Sequence, residues 1–447
     1  MEVKLIAKPD TDILSLMSKA ARTCYEPEEP TGDKTIDIEH KIFPVGHFTI
    51  LQHPCFTFFI EGIPVGNITL GLHLNMIFNT SSQRSGRYCF GMFSDLTAID
   101  SIMAFIREFY PDTTDQQHNQ IRSYIKHAQK LFSDNIEAGT DIAAKFIAEE
   151  RPKATDKYIK QNAKKFAQEQ LRMLVPVIFP TAITFTINLS TLIALYRVAW
   201  DPVMLRLTEM MTQQILAIDP TLAYAFKRLN TELNWAIPAT ISHDTYPTLK
   251  LRQIDSLDTA VYPSIDDTHP VDTLYFNPKF MPNNDIHIKT KVHISLATMG
   301  QDQRHRRINR GPFKFTGYMY CPPILAEQNL KSALITLGQE WVQLSTDGLH
   351  PALASTLAPY GAMVEYTKSA DLNALMHEQD KRLCWCTQEE IYWLSCRLRE
   401  EAGDQPVEFL TQLSPPCFKS GICGEGARYC GRDLTINHAN FFPHRKV

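Results

Sequence analysis

The stretch Gln-Asp-Gln-Arg-His-Arg-Arg-Ile-Asn-Arg, from Gln301 to Arg310, holds four arginines in ten residues. The chain as a whole is slightly acidic, with a formal net charge of −4 and a pI of about 6.4, so this concentration of guanidinium groups needs a reason. Guanidinium forks match planar anions such as phosphates and carboxylates, and the polarised edges of heterocyclic rings. The alternative interpretation is a solvated basic face or a nucleic-acid patch.

Composition narrows the class of protein. The chain has 447 residues, of which 44% are hydrophobic and 21% are charged, which is typical of two or three globular domains. The acidic balance argues against a general nucleic-acid or anionic-membrane binder. Residues 1–6 read as a first β-strand and lack the basic start and long apolar run of a signal peptide. The ten cysteines are mostly scattered singly, as in a reducing compartment, so we predict a cytoplasmic protein.

One uncharged stretch, residues 173–196, has the length of a membrane span. Two prolines, Pro176 and Pro180, interrupt it, and residues 182–187 alternate polar and apolar side chains as a strand does. Asn188 then precedes an amphipathic helix, which it is suited to cap. The pattern therefore favours a buried strand followed by a helix, and we predict no membrane partner.

Successive segments of the chain show different secondary-structure patterns. Residues 1–110 read as mixed strand and helix, and residues 113–172 read as a helical module with one apolar stripe per helix. Residues 240–285 are dominated by Thr, Asp, Pro and Tyr without a helical period, which indicates a linker with short strands. One spacing recurs: Pro176 precedes Asn188 by twelve residues, and Pro359 precedes Asp371 by twelve. Each Asn or Asp opens a similar helical segment.

Several segments carry a family resemblance. Residues 20–25 read Ala-Ala-Arg-Thr-Cys-Tyr, residues 47–58 read His-Phe-Thr-Ile-Leu-Gln-His-Pro-Cys-Phe-Thr-Phe, and residues 83–88 read Gln-Arg-Ser-Gly-Arg-Tyr. Together with Arg172, they resemble the early helix, the His-x-Ser/Thr strand, the nucleotide-phosphate loop and a later arginine of flavin-dependent thymidylate synthases. In the second half, Gln301 with residues 304–306 resembles the Gln-x-x-Arg-His-Arg motif of that family. Arg382 with residues 388–391 is similar to its Arg…Gln-Trp-Glu-Ile segment.

With this resemblance, the repeated spacing indicates a tandem duplication. We expect an α+β protein made of two copies of a flavin-dependent thymidylate synthase-like fold, a mixed sheet with long helices. Residues 1–235 would form the N-terminal copy, on the nucleotide-phosphate side. Residues 245–447 would form the C-terminal copy, which carries the Arg-His-Arg motif and a Cys-containing tail. The second copy is shorter between its matching segments, so its helical module is predicted to be trimmed.

Each copy lacks the family motifs that the other copy keeps. In the first copy, residues 75–77 (Asn-Met-Ile) occupy the place of Arg-His-Arg, and the counterpart of Arg382 falls near Ala199. In the second copy, residues 314–316 (Lys-Phe-Thr) replace the Ser-Gly-Arg loop, and the counterpart of Arg172 is Ser355. In the resembled family the active sites lie between subunits, and the losses match that division. The resemblance therefore implies one complete composite site and one dead reciprocal site.

The composite site assigns roles residue by residue. The substrate would be held by Gln301 and Arg304 from the second copy and by Gln83, Ser85, Gly86, Arg87 and Arg172 from the first. Arg382 would be catalytic, because a cation near N3 stabilises an anionic pyrimidine and raises electron density at C5. Arg304, His305 and Arg306, with His47 and Thr49, would contact FAD. No metal is assigned to this site.

The resemblance implies methylation of dUMP to dTMP, with methylenetetrahydrofolate supplying the carbon and NADPH the electrons. The alternatives are a related C5 one-carbon transfer on another deoxynucleotide, or a non-catalytic nucleotide-binding relative. The family's flavin-contacting Asn-x-Arg reads Asn188-Leu-Ser in one copy and Asp371-Leu-Asn in the other, so neither copy keeps the arginine. We expect a homodimer of two-copy chains in place of the family's tetramer.

The C-terminal tail leaves two interpretations open. Cys417, Cys423 and Cys430 have a looser spacing than the usual zinc pattern, and His438 or His444 could supply a fourth ligand. The favoured interpretation is a Gly-rich tail with free thiols, and the other is a structural metal site.

Overall fold

The computed structural model describes all residues except 32–33, 75–77, 90, 96, 230–234, 245–248, 256, 265–271, 427–428, 435–441 and 443–444. The strands are β1 (Glu2–Ala7), β2 (Cys55–Pro64), β3 (Asn79–Gln83), β4 (Pro180–Asn188), β5 (Leu249–Ile254), β6 (His287–Ser295), β7 (Asn309–Arg310), β8 (Lys314–Met319) and β9 (Ala362–Asp371). The helices of the first half are α1 (Ile13–Thr23), α2 (Val65–Asn67), α3 (Ala98–Phe109), α4 (Asp115–Glu150), α5 (Asp156–Leu171), α6 (Leu189–Val198) and α7 (Pro202–Leu216). Those of the second half are α8 (Thr273–Phe276), α9 (Leu296–Asp302), α10 (Pro323–Glu327), α11 (Lys331–Thr346), α12 (Pro351–Thr356), α13 (Leu372–Arg382), α14 (Glu389–Glu401), α15 (Val407–Gln412) and α16 (Pro416–Ser420).

The two halves each build an antiparallel sheet with the same strand order. In the first sheet the order is β1-β2-β4-β3. In the second it is β5-β6-β9, and β7 and β8 follow one after the other along the outer edge of β9. The mixed helix-and-sheet architecture is thus as expected. The matching order places β3 and the β7–β8 segment at equivalent sheet edges.

The strand-to-helix junctions follow the local sequence. The side chain of Asn188 accepts a hydrogen bond from Thr191 N at 2.8 Å and caps α6. Asp371 does the same for α13 through Ala374 N at 2.8 Å. Each side chain satisfies one of the amides that the first turn of a helix leaves free. The uncharged stretch is therefore β4 followed by α6, and none of the helices in the described ranges is long and apolar enough to cross a membrane.

The helical module predicted for residues 113–172 is formed by α4 and α5. Helix α4 opens with a capping box, in which Thr114 and Gln117 satisfy each other's amides, and it runs antiparallel to α5 with their apolar stripes buried. In the second half, α10 and α11 follow β8 along the chain, and both pack against α4. Residues 240–285, where we expected a linker with short strands, also contain α8 and a 3-10 helix at Pro278–Asp285. Asn-Met-Ile at 75–77 lies outside the described residues.

The halves cross at their centres and share one core. Val177 N donates to Ala358 O at 2.9 Å, and Tyr360 N donates to Val175 O at 2.8 Å. Phe93 packs edge-on against both Phe179 and Tyr360, with ring centroids 5.7 and 5.8 Å away. Continuous apolar packing across the crossing fixes the halves relative to each other. This contact brings the loop after β3 against the segment between α13 and α14.

Candidate functional site

A pocket of about 240 Å³ lies where the two halves meet. Of the described residues that line it, five are arginines and none is Asp or Glu. The polar lining residues come from both halves: Thr69, Gln83, Arg84, Ser85, Arg87, Tyr88, Arg172, Gln301, Arg304, Tyr360 and Arg382. Because the lining carries an excess of positive charge, the pocket suits an anionic ligand.

The loop after β3 forms one wall. Ser85 Oγ accepts a hydrogen bond from Arg87 N at 3.2 Å, which closes a tight turn. A Cβ on Gly86 would lie 2.8 Å from the ring of Phe93, so only glycine fits there without a shift. Gln168 of α5 donates to the carbonyls of Gly86 and Cys89 at 2.8 and 3.0 Å and anchors the loop. The turn is therefore preorganised by core contacts.

Arg87 joins the two halves at this wall. Its Nε donates to the buried carboxylate of Glu169, and its Nη2 donates to the carbonyl of Cys386 at 3.2 Å. Burial alone would lower the pKa of Arg87, but the neighbouring Glu169 carboxylate outweighs burial and raises it. Arg87 is thus a fixed cation whose position depends on a loop of the second half.

Arg172 is the second cation from the first half and is buried. Its Nη2 donates to Gln388 Oε1 at 2.8 Å, and Gln301 Nε2 donates to the same oxygen. Arg172 also lies 5.4 Å from the ring centroid of Tyr360. Burial lowers the pKa of Arg172, with the Glu169 carboxylate opposing that change. Gln388 therefore links a site residue of each half.

Arg382 faces the pocket from the end of α13. Its Nε donates to His305 Nε2 at 2.9 Å, and its Nη2 donates to the Gln301 carbonyl at 2.7 Å. Burial lowers the pKa of Arg382 to about 10, helped by the nearby Arg87 and Arg304. Burial and Arg382 hold the pKa of His305 well below its usual value, so the imidazole is neutral and its Nε2 accepts from the guanidinium.

The Arg304–Arg306 run rests on the edge of the first sheet. Arg304 Nη1 donates to the Ser81 carbonyl at 3.1 Å, and Arg306 Nη2 donates to Ser81 Oγ at 2.8 Å. Arg304 lines the 240 Å³ pocket, whereas Arg306 lines a larger pocket of about 700 Å³. The run thus separates two adjoining cavities, each built from both halves.

Buried polar atoms without a partner surround the first pocket. Among the described residues they include Glu169 Oε1, Gln301 Oε1, His305 Nδ1, Gln388 Nε2 and Glu389 Oε2. Buried polar groups are nearly always hydrogen-bonded in native proteins, to protein, water or ligand. Such a concentration of unsatisfied atoms beside a cationic pocket points to polar ligands.

Three buried carboxylates lie behind this wall, on α5 and at the start of α14. Glu390 accepts hydrogen bonds from Ser295 and Thr298, and Glu389 accepts one from the Tyr320 hydroxyl at 3.0 Å. Burial, with the nearby Glu169 carboxylate, raises the pKa of Glu389 from 4.5 to about 8. Glu389 therefore carries a proton at neutral pH in the folded protein.

The raised pKa of Glu389 predicts that the stability of the folded chain depends on pH. Between pH 4.5 and 8 the folded chain keeps a proton on Glu389 that the unfolded chain releases. The contribution of this proton to the free energy of unfolding is complete below pH 4.5 and is lost as pH rises towards 8. The free energy of unfolding therefore falls by up to about 1.4 kcal/mol per pH unit in this range. Glu389→Gln should remove this fall, as urea unfolding at pH 5, 6.5 and 8 would show. Glu400→Gln, at an exposed carboxylate, is the control; equal slopes in wild type and Glu389→Gln would contradict the assignment.

Most residues expected from the sequence meet in one place. Eight of them line or form the first pocket: Gln83, Ser85, Gly86, Arg87, Arg172, Gln301, Arg304 and Arg382. His305 lies behind Arg382, and Arg306 lies in the larger pocket. His47 and Thr49 are exposed around the 3-10 helix Phe48–Gln52 and line neither pocket, so their flavin role stays a prediction.

A second, much smaller cavity also lies between the two halves. The cavity at Ser355, the position matched to Arg172, has a volume of about 10 Å³. Trp200 and Trp235 line it, next to Ala199, the position matched to Arg382. The side chains at this position therefore leave little room for a ligand.

Several residues of the site were not assigned from the sequence. Gln388 stands in a motif-like segment but received no role, and Glu169 is marked only by its place three residues before Arg172. Arg84 directly precedes the predicted loop. Tyr360 is signalled only by its place beside Pro359, the proline of the repeated spacing.

The tail cysteines Cys417, Cys423 and Cys430 carry free thiols. Within the described ranges, no group of three or more His, Cys, Asp or Glu side chains is placed to hold a metal ion. His438 and His444, the suggested fourth ligands, lie outside those ranges.

We compared the chain with family models, with curated proteins and with solved structures. Residues 4–218 match the family model of the thymidylate synthase complementing protein, and this range includes Gln83–Arg87 and Arg172. No curated protein matches the chain. A structure of thymidylate synthase X from Helicobacter pylori with FAD and dUMP is 17% identical, covers 51% of this chain and 100% of its own, and has a TM-score of 0.34. A UMP/dUMP methylase, PolB, from Streptomyces cacaoi, bound with 5-Br dUMP, is 15% identical, covers 50% of this chain and 93% of its own, and has a TM-score of 0.34. The first half of this chain is therefore similar, over residues 4–218, to the thymidylate synthase complementing protein family.

Proposed function

We propose that the chain methylates C5 of dUMP to give dTMP at one composite site, the 240 Å³ pocket between its halves. The observation that carries the proposal is the pocket's lining of five arginines from both halves without a carboxylate. A mononucleotide dianion with an ionisable pyrimidine is a ligand that needs cations at both ends. The small cavity at Ser355 supports a single site per chain.

The phosphate end of the nucleotide would lie against the first half. Arg87 and Arg172 are cations held in fixed positions by Glu169 and Gln388. Guanidinium groups bind phosphate through paired charge-assisted hydrogen bonds, and a preorganised fork loses little entropy on binding. Since Glu169 already neutralises Arg87 in part, Arg172 would contribute the larger uncompensated charge.

The pyrimidine end would face Arg382. Its hydrogen-bond partners, the His305 imidazole and the Gln301 carbonyl, carry no negative charge, so its cation is available to the ligand. A buried cation beside N3 stabilises negative charge on the ring and makes C5 more nucleophilic. The neutral His305 orients the guanidinium without competing with the substrate for its charge.

The larger pocket suits the cofactor FAD. It adjoins the nucleotide pocket across the Arg304–Arg306 run, and Gln303, which lines it, has a buried carbonyl oxygen without a partner. Arg306 and the backbone around Arg304 would hold the cofactor against Ser81 and its neighbours. When bound, the reduced flavin supplies the hydride, and the protein supplies position and charge. Methylenetetrahydrofolate as carbon donor and NADPH as reductant complete the proposed reaction.

We further propose that the chain arose by tandem duplication, with residues 1–235 and 245–447 as the two copies. The shared strand order, the matching caps at Asn188 and Asp371, and the crossing of the Pro176 and Pro359 segments support this origin. A homodimer of two-copy chains and a cytoplasmic location remain part of the proposal.

The proposed function has a direct assay. We expect the purified protein to show a flavin absorption spectrum after reconstitution with FAD. It should then form dTMP from dUMP with methylenetetrahydrofolate and NADPH. Omitting NADPH is the control for electron supply. Flavin binding with a different C5 product would replace the proposed reaction with a related one-carbon transfer. Absence of both flavin binding and turnover would leave a non-catalytic nucleotide binder.

A further inference from the structure

The 700 Å³ pocket contains an aromatic platform that the nucleotide site does not use. The guanidinium carbon of Arg307 lies 3.6 Å from the ring centroid of Tyr275, and both residues line the pocket. Arg307 Nη2 also donates to Asp272 at 3.2 Å, which holds the guanidinium over the ring. A stacked pair of this kind offers a flat, polarisable surface to a heterocyclic base.

The platform is anchored from α13. Asn373, which is fully buried, donates through Nδ2 to the carbonyls of Leu274 and Phe280, both at 3.0 Å. Asn283 Nδ2 donates to Asn373 Oδ1 at 2.9 Å. Asn373 is the position where the Asn-x-Arg resemblance would place an arginine. In this chain the residue at that position is hydrogen-bonded to the segment that carries Tyr275 and so positions it.

A free positive charge lies on the opposite side of the same pocket. Arg306 donates to two hydroxyls, Ser81 Oγ at 2.8 Å and Thr80 Oγ1 at 3.4 Å, and both are neutral. Burial and the nearby Arg304 lower the pKa of Arg306, so an anion that neutralises it would be favoured. The pocket therefore combines a stacking surface at Tyr275 with a cation suited to phosphate.

We propose that Tyr275 and Arg307 form the subsite for the adenine of a dinucleotide cofactor, with Arg306 on its diphosphate. The proposal rests on the proposed function for the identity of the cofactor, because FAD and NADPH both carry an adenosine diphosphate moiety. The Tyr275–Arg307 pair would replace the contact that the missing Asn-x-Arg arginine supplies in the resembled family.

ADP alone tests the subsite without turnover. We expect ADP to bind the full-length protein in calorimetric titration and Tyr275→Ala to weaken that binding by about 10-fold or more, since base stacking is lost. Tyr275→Phe, which keeps the ring, should retain it. Phe276→Ala is the matched control, because Phe276 is the next residue of α8, is 75% exposed and does not line the pocket. If Tyr275→Ala fails to fold, Arg307→Ala replaces it.

Titrations with FAD, FMN and NADPH show which cofactor places its adenosine in this subsite. If FAD binding weakens in Tyr275→Ala while FMN binding does not, the subsite serves the flavin cofactor; if NADPH binding weakens instead, it serves the reductant. No ADP binding to wild type, or equal ADP binding in Tyr275→Ala, overturns the proposal. A parallel dUMP titration distinguishes failure of the adenine subsite from failure of the proposed function. Loss of dUMP binding with intact ADP binding would remove the proposed function and leave the subsite.

Discussion

Arg382→Ala is expected to lower the rate of dTMP formation by about 10²–10³-fold, the usual cost of removing one preorganised electrostatic group from an active site. In the proposed site Arg382 is the cation at the pyrimidine end of the pocket, and its two hydrogen-bond partners are uncharged. Without it, negative charge on the ring would be unstabilised in a buried site. The loss should appear in kcat, which steady-state assays at saturating dUMP would measure, together with a weaker dissociation constant for dUMP.

The control for this prediction is Arg397→Ala, which removes an exposed arginine paired with Glu400 on α14. Its activity should equal that of wild type. Arg382→Lys keeps the charge but loses the fork, so we expect intermediate activity. Wild-type kcat in Arg382→Ala, with unchanged thermal stability, would remove Arg382 from the catalytic role.

Arg87→Ala should weaken dUMP binding by about 10–100-fold, because a hydrogen bond to a charged group contributes about 1.5–3 kcal/mol. The residue lies on the loop of the first half, far along the chain from Arg382, yet both line one pocket. The loss should appear in the dissociation constant of dUMP, and equilibrium titration measures it directly.

Truncation of Arg87 also leaves the buried Glu169 carboxylate without its partner. The double variant Arg87→Gln, Glu169→Gln removes both charges and so separates binding from folding. It should unfold at the temperature of wild type, or near it, and still bind dUMP weakly. Arg122→Ala, whose guanidinium pairs with exposed Asp100, is the matched control in the first half. Wild-type affinity for dUMP in the double variant would show that the loop does not hold the phosphate.

Local sequence predicted the strand-to-helix junctions well. The caps at Asn188 and Asp371 act within one helical turn, so their roles could be read from neighbouring residues alone. The motif residues Arg87, Arg172 and Arg382 were expected together from the complementary losses, and they line one pocket.

Contacts between distant segments were not predictable in the same way. The contacts of Arg172 with Gln388 and of Arg87 with the Cys386 carbonyl depend on how the halves cross, and no spacing in the sequence encodes them. The small volume of the cavity lined by Trp200 and Ser355 is also an outcome of packing between distant segments. The Tyr275 platform escaped notice because residues 240–285 show no helical period, although α8 forms there through its anchoring to Asn373.

The central claim is that each chain holds one nucleotide site built from both of its halves. Equilibrium titration of dUMP against wild type, Arg87→Ala and Arg382→Ala tests this claim most directly. The account predicts one dUMP bound per wild-type chain and weakened binding at that single site in both variants, although the two residues belong to different halves. Two sites per chain, or a variant of either half that binds dUMP as wild type does, would contradict it.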